Sequence, residues 1–299
     1  MLQTHERNIG NLAVLITCYN RKEKTLKCLR HLYEARSSYN SNLIMDVYLT
    51  DDASRDGTEN EVRKNFPDVN IIKGNGRLYW SGGTRKSWKE ALKKGIYQWY
   101  LLLNDDTVVN KSCFDVLFKT HEYAMQNYNT GGIYVGSVVD PATLKQTYGG
   151  RIIINKWTFE CNLIIPDGTI KACHLGNANI MLVHKCVVDD IGIFSGKYTH
   201  GKSDWDYTLR ASRHGFPVLV CPDFCGFCKN DNIQPDLKEM SLKERIQYLK
   251  DPKGIEIWGY MYFMWRFFPL RAPFVFLNLL IKTMIPESSD LVNKFLGRK

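Results

Sequence analysis

The stretch LAVLITCYNRKEKTLKCL, Leu12 to Leu29, decides the fold. Its opening LAVLIT is an apolar run suited to a strand buried on both faces. CYNR then interrupts it with polar side chains. Asn20 and Glu23 have the spacing of a capping box that opens a helix, and Leu26, Leu29 and Tyr33 share one face of that helix. A strand, a short polar turn and a helix form the repeating unit of parallel sheets.

The pattern recurs. DVYLT (Asp46–Thr50) runs into the polar TDDASRDGT, where Thr58 and Glu61 are spaced as a second capping box. VNIIK (Val69–Lys73) predicts a third strand. GNGRLYWSGGTRKSWK (Gly74–Lys89) reads as a Gly-rich loop feeding a Lys-rich helix from about Thr84 to Lys94, and WYLLL (Trp99–Leu103) predicts a fourth strand. The alternation predicts an α/β fold, a mainly parallel central sheet with flanking helices that binds ligands beyond the carboxyl ends of its strands. CYNR, Asp51 with Asp52, and Asp105 with Asp106 all fall at such ends.

After Asn127 the alternation weakens. GGIYVGSVV, GGRIII and ANIMLV read as shorter strands among turns, expected to shape a second pocket. From Asp231 the composition shifts again, with Ser241 and Glu244 spaced to cap a basic helix before an aromatic tail. The expected division is therefore residues 1–230 and a helical extension over 231–299. No internal repeat or low-complexity segment is visible.

A chain of 299 residues that is 44% hydrophobic can bury a sizeable core, which excludes disorder as its main state. Forty Lys and Arg against 31 Asp and Glu give a net charge of +9, suited to an anionic ligand, nucleic acid or an acidic membrane surface. MLQTHERNIG lacks the apolar core of a signal peptide, and the nine cysteines, an odd count, fit a reducing cytoplasm better than a disulfide framework. Arg266, Arg271 and Lys282 keep the tail from reaching the roughly 18 to 20 apolar residues of a bilayer span. A soluble or peripheral protein is expected.

In YLLLNDDTVVN (Tyr100–Asn110) a hydrophobic strand ends in two adjacent acids. Such carboxylates must be solvated, hydrogen bonded or neutralised by a cation, and a divalent ion held with substrate phosphate is one economical solution. A solvated turn or helix cap is the plainer alternative. Arg77, Arg85 and Lys86 in the Gly-rich stretch suit a diphosphate beside a helix start, although an ordinary glycine turn would look the same. In HGKSDWDYTLRASRHGF (His200–Phe216), a helix entered near Ser203 puts Asp204 at its exposed N-terminal end and lets Arg210 pair with an acid. Ser203 or Asp204 could instead simply cap that helix.

ITCYNR, TDDASRDGT, LYWSGGTRK, LLLNDDT and SDWDYTLRASRHGF occur in the order found in family 2 glycosyltransferases, over roughly Asn11 to Asn230. The chain resembles an inverting, nucleotide-sugar-dependent transferase of the GT-A fold, most similar to bacterial surface-polysaccharide enzymes, including rhamnosyltransferase-like members. The resemblance implies a nucleotide-binding half over about 1–110 and an acceptor-binding half over 111–230. It implies that Thr17, Tyr19, Asn20 and Asp51 line the nucleoside pocket, with Arg21 and Asp52 on the donor side and the Gly82, Gly83 and Arg85 segment near the donor. Asn104, Asp105 and Asp106 occupy the family's DxD position. Asp106 is then the direct ligand of a divalent cation, Mg or Mn, and Asp105 binds ribose or metal. The first acid of the motif is Asn here.

By the same resemblance Asp204 is the general base. Cys228 stands where many relatives carry a metal-binding His, and thiolate is a soft ligand for such ions. Cys221, Cys225 and Cys228 offer part of a zinc site as an alternative, but no fourth ligand at standard spacing accompanies them. Expected partners are a UDP-, dTDP- or GDP-linked sugar and a glycan or lipid-linked oligosaccharide acceptor, with no nucleic acid.

In the tail, Trp258, Tyr260, Tyr262, Trp265 and Phe268 alternate with apolar residues and basic breaks, as in a segment lying in a membrane interface. A helical cap on the catalytic domain or an oligomer contact would show the same composition. The expected location is cytoplasmic, with peripheral contact on the inner face of the cell membrane. Rival functions are a sugar-1-phosphate nucleotidyltransferase, faintly suggested by GNGRL, a glycoside hydrolase using paired acids, and a non-catalytic, membrane-associated glycan-binding protein.

Overall fold

Strand β1 (Asn11–Cys18) is buried beyond its first residue. Leu12, Val14 and Ile16 face one apolar layer, Ala13 and Leu15 the other. Two buried faces explain why its sequence is continuously apolar rather than alternating. The computed structural model describes residues 10–39, 42–230 and 234–287.

Helix α1 (Lys22–Ser38) follows, but Asn20 does not cap it. Arg21 is the N-cap, without a side-chain cap bond. Asn20 sits at φ 51°, and its Oδ1 accepts from Arg55 N at 2.7 Å while its own N–H donates to Ser54 Oγ at 2.9 Å. The side chain is spent on tying one β–α turn to the next. Asp56 serves both helix starts instead. Its carboxylate accepts from Lys22 N at 2.9 Å and from the N–H and hydroxyl of Thr58, the first residue of α2 (Thr58–Asn65). The spacing at Thr58 and Glu61 was therefore not a capping box.

Strands β2 (Ile44–Asp51) and β3 (Asn70–Lys73), helix α3 (Tyr79–Lys94) and strand β4 (Trp99–Leu103) complete the first half. Strand β1 runs parallel to β2 and β4, and β2 parallel to β3. Helix α3 starts before the predicted Thr84, so Gly82 and Gly83 lie in its first turns and not in a loop.

The chain continues through β5 (Val108–Val109), α4 (Cys113–Tyr128), β6 (Ile133–Val139), β7 (Gln146–Tyr148), β8 (Gly150–Asn155) and β9 (Glu160–Leu163). Next come β10 (Lys171–Ala172), β11 (Leu175–Gly176), β12 (Ile180–His184), α5 (Lys185–Ile191), α6 (Ser203–Arg213) and β13 (Val218–Phe227). The main sheet has the order β10-β13-β6-β12-β4-β1-β2-β3, with β5 on β13 and β7 on β6. Strand β12 is antiparallel to both β4 and β6, so the parallel half ends at β4. Strands β11, β8 and β9 form a separate antiparallel sheet.

These elements make one compact unit, from Met1 to Ser195 and from Ser203 to Asn230; Gly196–Lys202 and Asp231–Lys299 make a second. In the second unit, Ser241 and Glu244 form a reciprocal capping box at the start of α7 (Leu242–Lys250), followed by α8 (Ile257–Phe267) and α9 (Ala272–Met284). Glu256 explains why the 196–202 segment groups here: its carboxylate accepts from the N–H groups of Thr199, His200 and Gly201. No described helix is long and apolar enough to cross a membrane. The leader reading of residues 1–9 and the boundary at Asp231 fall outside the described residues.

His121 on α4 ties this helix to the sheet. Its Nδ1 lies 2.9 Å from the Tyr134 hydroxyl, which also accepts from Gly132 N at 3.0 Å. Burial first, then nearby His184, lowers its pKa to about 4. A histidine kept neutral in the fold contributes stability above its unfolded pKa, and that stability is lost as pH falls toward the folded value. We expect the native chain to lose on the order of 2 kcal/mol more than His121→Phe between pH 7 and pH 4.5, measured by urea denaturation.

Candidate active site

The carboxyl ends of β1, β2 and β4 meet the start of α3. A Cβ on Gly83 would lie 2.2 Å from Thr17 Cγ2, so only glycine lets the helix approach β1 this closely. Thr17 Oγ1 is 3.4 Å from Thr84 Oγ1, and Thr50 Oγ1 is bonded to Gly83 O at 3.0 Å and Ser87 Oγ at 2.7 Å. Gly82 has looser surroundings, and Arg85 Nη1 donates to Ser195 O at 2.9 Å.

Asp51 and Asp52 are both buried, with different duties. Asp51 Oδ1 accepts from Ser54 N at 2.8 Å. Asp52 accepts four backbone N–H groups: Asn75 and Gly76 on Oδ1 at 3.1 and 2.8 Å, Leu78 and Tyr79 on Oδ2 at 2.9 and 3.1 Å. A carboxylate before the first turn of α3 also suits the positive end of the helix dipole. Asp52 therefore shapes the loop that the donor-side reading assigns to ligand. Tyr19 stands 45% exposed beside this edge.

Beyond β4, Asp105 is 5% exposed and the Asp106 side chain 16%. A single nitrogen, Arg21 Nη1, lies 3.2 Å from Asp105 Oδ1 and 2.7 Å from Asp106 Oδ2. Burial pushes the Asp105 carboxyl up to about 7, against the pull of Arg21 and with the repulsion of Asp106. For Arg21, burial works to lower the pKa, but both acids outweigh it and hold the guanidinium above its ordinary value.

Two buried oxygens here, Asn104 Oδ1 and Asp105 Oδ2, have no hydrogen-bond partner among the described residues. Together with Asp106 they offer the hard oxygen donors that suit Mg²⁺ or Mn²⁺. Cys228 stands beside that set. Its Sγ lies 3.6 Å from Asp106 Oδ1 and 3.5 Å from Asn179 Nδ2, and its thiol is pushed up to about 12, by burial first and then by Asp106. It is a neutral donor to the acid. Among the described residues, no three His, Cys, Asp or Glu side chains converge as a metal cluster, the Cys221, Cys225 and Cys228 group included.

Asp204 lies in the first turn of α6. Its Oδ1 accepts from Trp205 N at 2.8 Å and its Oδ2 from Asn177 Nδ2 at 3.4 Å. Ser203 Oγ meets Ser81 Oγ at 2.6 Å, fixing the start of α6 against α3. Asp206, fully buried, pairs with Arg210 Nε at 2.8 Å about one helical turn on, a structural pair within α6.

Asn177 and Asn179 were not singled out in the sequence. Asn179 O accepts from Asn104 N at 3.2 Å, and its Nδ2 reaches Thr107 Oγ1 and Cys228 Sγ, both at 3.5 Å. Two residues of chain span at most about 7 Å. The segment leading into β12 thus touches Asp204 with one asparagine and the acid-pair turn with the next but one. The visible signal was the doublet NAN before an apolar run, where two amides in a turn call for partners.

The glycosyltransferase-like family 2 model matches residues 10–247, and the chain belongs to that family. Its fold is GT-A-like. The mannosyltransferase PcManGT from Pyrobaculum calidifontis, solved in complex with GDP-Man and Mn²⁺, is similar with a TM-score of 0.50 and 14% identity, over 80% of this chain and 61% of that one. GalNAc-T7, solved with UDP, GalNAc and Mn²⁺, is similar with a TM-score of 0.56 and 13% identity, over 74% of this chain and 44% of that one. The likeness is one of fold, and this chain spans less than two thirds of either structure. No curated protein matched the sequence.

Removing the Asp52 carboxylate leaves four backbone donors without their acceptor. Asp52→Ala should cost about 3 kcal/mol in urea denaturation, and amide exchange at residues 75, 76, 78 and 79 should accelerate. Native-like exchange at all four would contradict the anchoring role.

Proposed function

We propose that this chain is an inverting glycosyltransferase that moves a sugar from a nucleotide-diphosphate donor to a hydroxyl of a glycan or lipid-linked acceptor, in bacterial surface polysaccharide synthesis. The supporting observation is the short segment that joins Asp204, through Asn177, to the acid-pair turn, through Asn179. A base and an anion-organising edge on one such segment suit a reaction in which an alcohol attacks as a diphosphate departs. The nucleotides in the similar solved structures, GDP-Man in one and UDP in the other, agree with a nucleotide-sugar donor.

In this reading Thr17, Tyr19, Asn20 and Asp51 border the nucleoside, and Arg21 and Arg85 lie on the diphosphate side. Asp52, Gly82 and Gly83 hold the edge in shape. Asp106, with Asp105, holds Mg²⁺ or Mn²⁺, which when bound supplies positive charge beside the leaving diphosphate. Cys228 supports Asp106 as a thiol donor.

Asp204 takes the proton of the acceptor hydroxyl, whose oxygen forms a bond to the anomeric carbon as the bond from that carbon to the diphosphate oxygen breaks. One displacement from the opposite face inverts the anomeric centre. Residues 1–110 carry the donor and 111–230 shape the acceptor side.

The C-terminal helices contact the membrane that carries a lipid-linked acceptor. Trp258, Trp265, Leu270, Phe274, Leu277 and Met284 are each more than half exposed. Arg266, Arg271 and Lys282 are interspersed, and no acid occurs from Ile257 to Ile285. Exposed aromatics with positive charge suit an anionic lipid surface.

Asp204→Asn should lower the rate of nucleotide-diphosphate release with acceptor by about 100- to 10,000-fold, while donor affinity stays within about twofold. An unchanged rate removes Asp204 as the base. The full chain should co-float with vesicles containing anionic lipid and not with neutral phosphatidylcholine vesicles, and Trp258→Ser with Phe274→Ser should abolish flotation. Equal flotation of the native and doubly substituted chains would count against the tail as the contact.

A further inference from the structure

Arg21 stands where a cation facing Asp105 and Asp106 would stand. One guanidinium nitrogen reaches both carboxylates, at 3.2 and 2.7 Å. Beside the pair, position 104 is Asn, and Cys228 Sγ lies 3.6 Å from Asp106 Oδ1. With Arg21 in place, the charge a divalent ion meets is halved, and Asp106 Oδ2 already carries a charge-assisted bond. Yet Asp105 Oδ2, on a side chain 7% exposed, still lacks a partner, so the guanidinium does not fully satisfy the pair.

Arg21 is also able to leave. Its side chain is 42% exposed, and it occupies the N-cap of α1, where its carbonyl accepts from Thr25 N at 2.9 Å. Swinging the side chain outward breaks no bond of the helix backbone.

We propose that Arg21 is the resident cation of the acid pair and competes with the divalent ion for it. Entry of the ion and departure of the guanidinium are then one exchange, and the free protein binds the ion weakly. Once displaced, Arg21 remains within reach of the same edge, where a diphosphate brings the negative charge that replaces its two carboxylate partners. The ion and the diphosphate therefore favour each other's binding, with Arg21 as the link. This rests on the reading of Asp105 and Asp106 as the cation-facing acids.

The test uses the full chain without donor and reads Mn²⁺ binding by the electron paramagnetic resonance signal of the free ion. Arg21→Met should bind Mn²⁺ roughly tenfold or more tightly than the native chain, the scale expected for losing two competing charge-assisted bonds. Arg21→Lys, which keeps the charge without the planar fork, should fall between them. Thermal melts establish that each variant is folded. If neither variant binds Mn²⁺ more tightly while Asp106→Asn weakens binding, the competition is wrong and the acid-pair reading survives. If Asp106→Asn leaves Mn²⁺ affinity unchanged in the Arg21→Met background, the acids are not the cation site and both readings fall. Adding UDP to the native chain should raise its Mn²⁺ affinity more than it raises that of Arg21→Met; an equal gain in both would remove Arg21 as the link.

Discussion

Two adjacent carboxylates at the end of a buried strand impose one requirement on everything around them: positive charge must be at hand. Burial of Asp105 makes its ionised form costly, and Asp106 beside it adds repulsion. The turn after β1 answers with Arg21, and that turn is held, through Asn20 and Lys22 N, by Ser54, Arg55 and Asp56 from the turn after β2. Parallel strands bring these turns to one edge of the sheet, so a local electrostatic demand is met by topology.

Much of the first half was legible because period and composition agree there. LAVLIT and WYLLL are apolar on both faces, which only a strand buried between two helical layers requires, and both are central strands. The helix starts were less legible. Asn20–Glu23 and Thr58–Glu61 have capping-box spacing, but a nearby turn offered Asn20 and Thr58 better partners than their own helices did. The same spacing at Ser241 and Glu244, with no competing turn bonded to either side chain, does form the box. Gly83 read as part of a phosphate loop because glycine signals both flexibility and close approach, and only the distance to Thr17 separates the two meanings.

At the site, residue types were readable and their partners were not. Asp52 looks like Asp51 in sequence, yet four backbone donors converge on Asp52. Asp204 and Asp206 sit two apart on one helix; Arg210, four residues beyond Asp206, takes that acid into the interior, while Asp204 meets Asn177. Asn177 and Asn179 escaped notice because an amide acquires meaning only from what the fold sets beside it. In the C-terminal unit, Glu256 holds the 199–201 loop by three backbone bonds across a long sequence separation, a link no local pattern carries.

The central claim is that a donor's diphosphate and a divalent ion assemble on the acid edge after β4. The most direct measurement is isothermal titration of UDP-, dTDP- and GDP-sugars into the chain with Mn²⁺ and with chelator, repeated on Asp106→Asn. At least one donor should bind roughly tenfold or more tightly with the ion, a linkage that Asp106→Asn abolishes. Donor affinity that ignores the ion, or a linkage that survives loss of the Asp106 charge, would contradict the account.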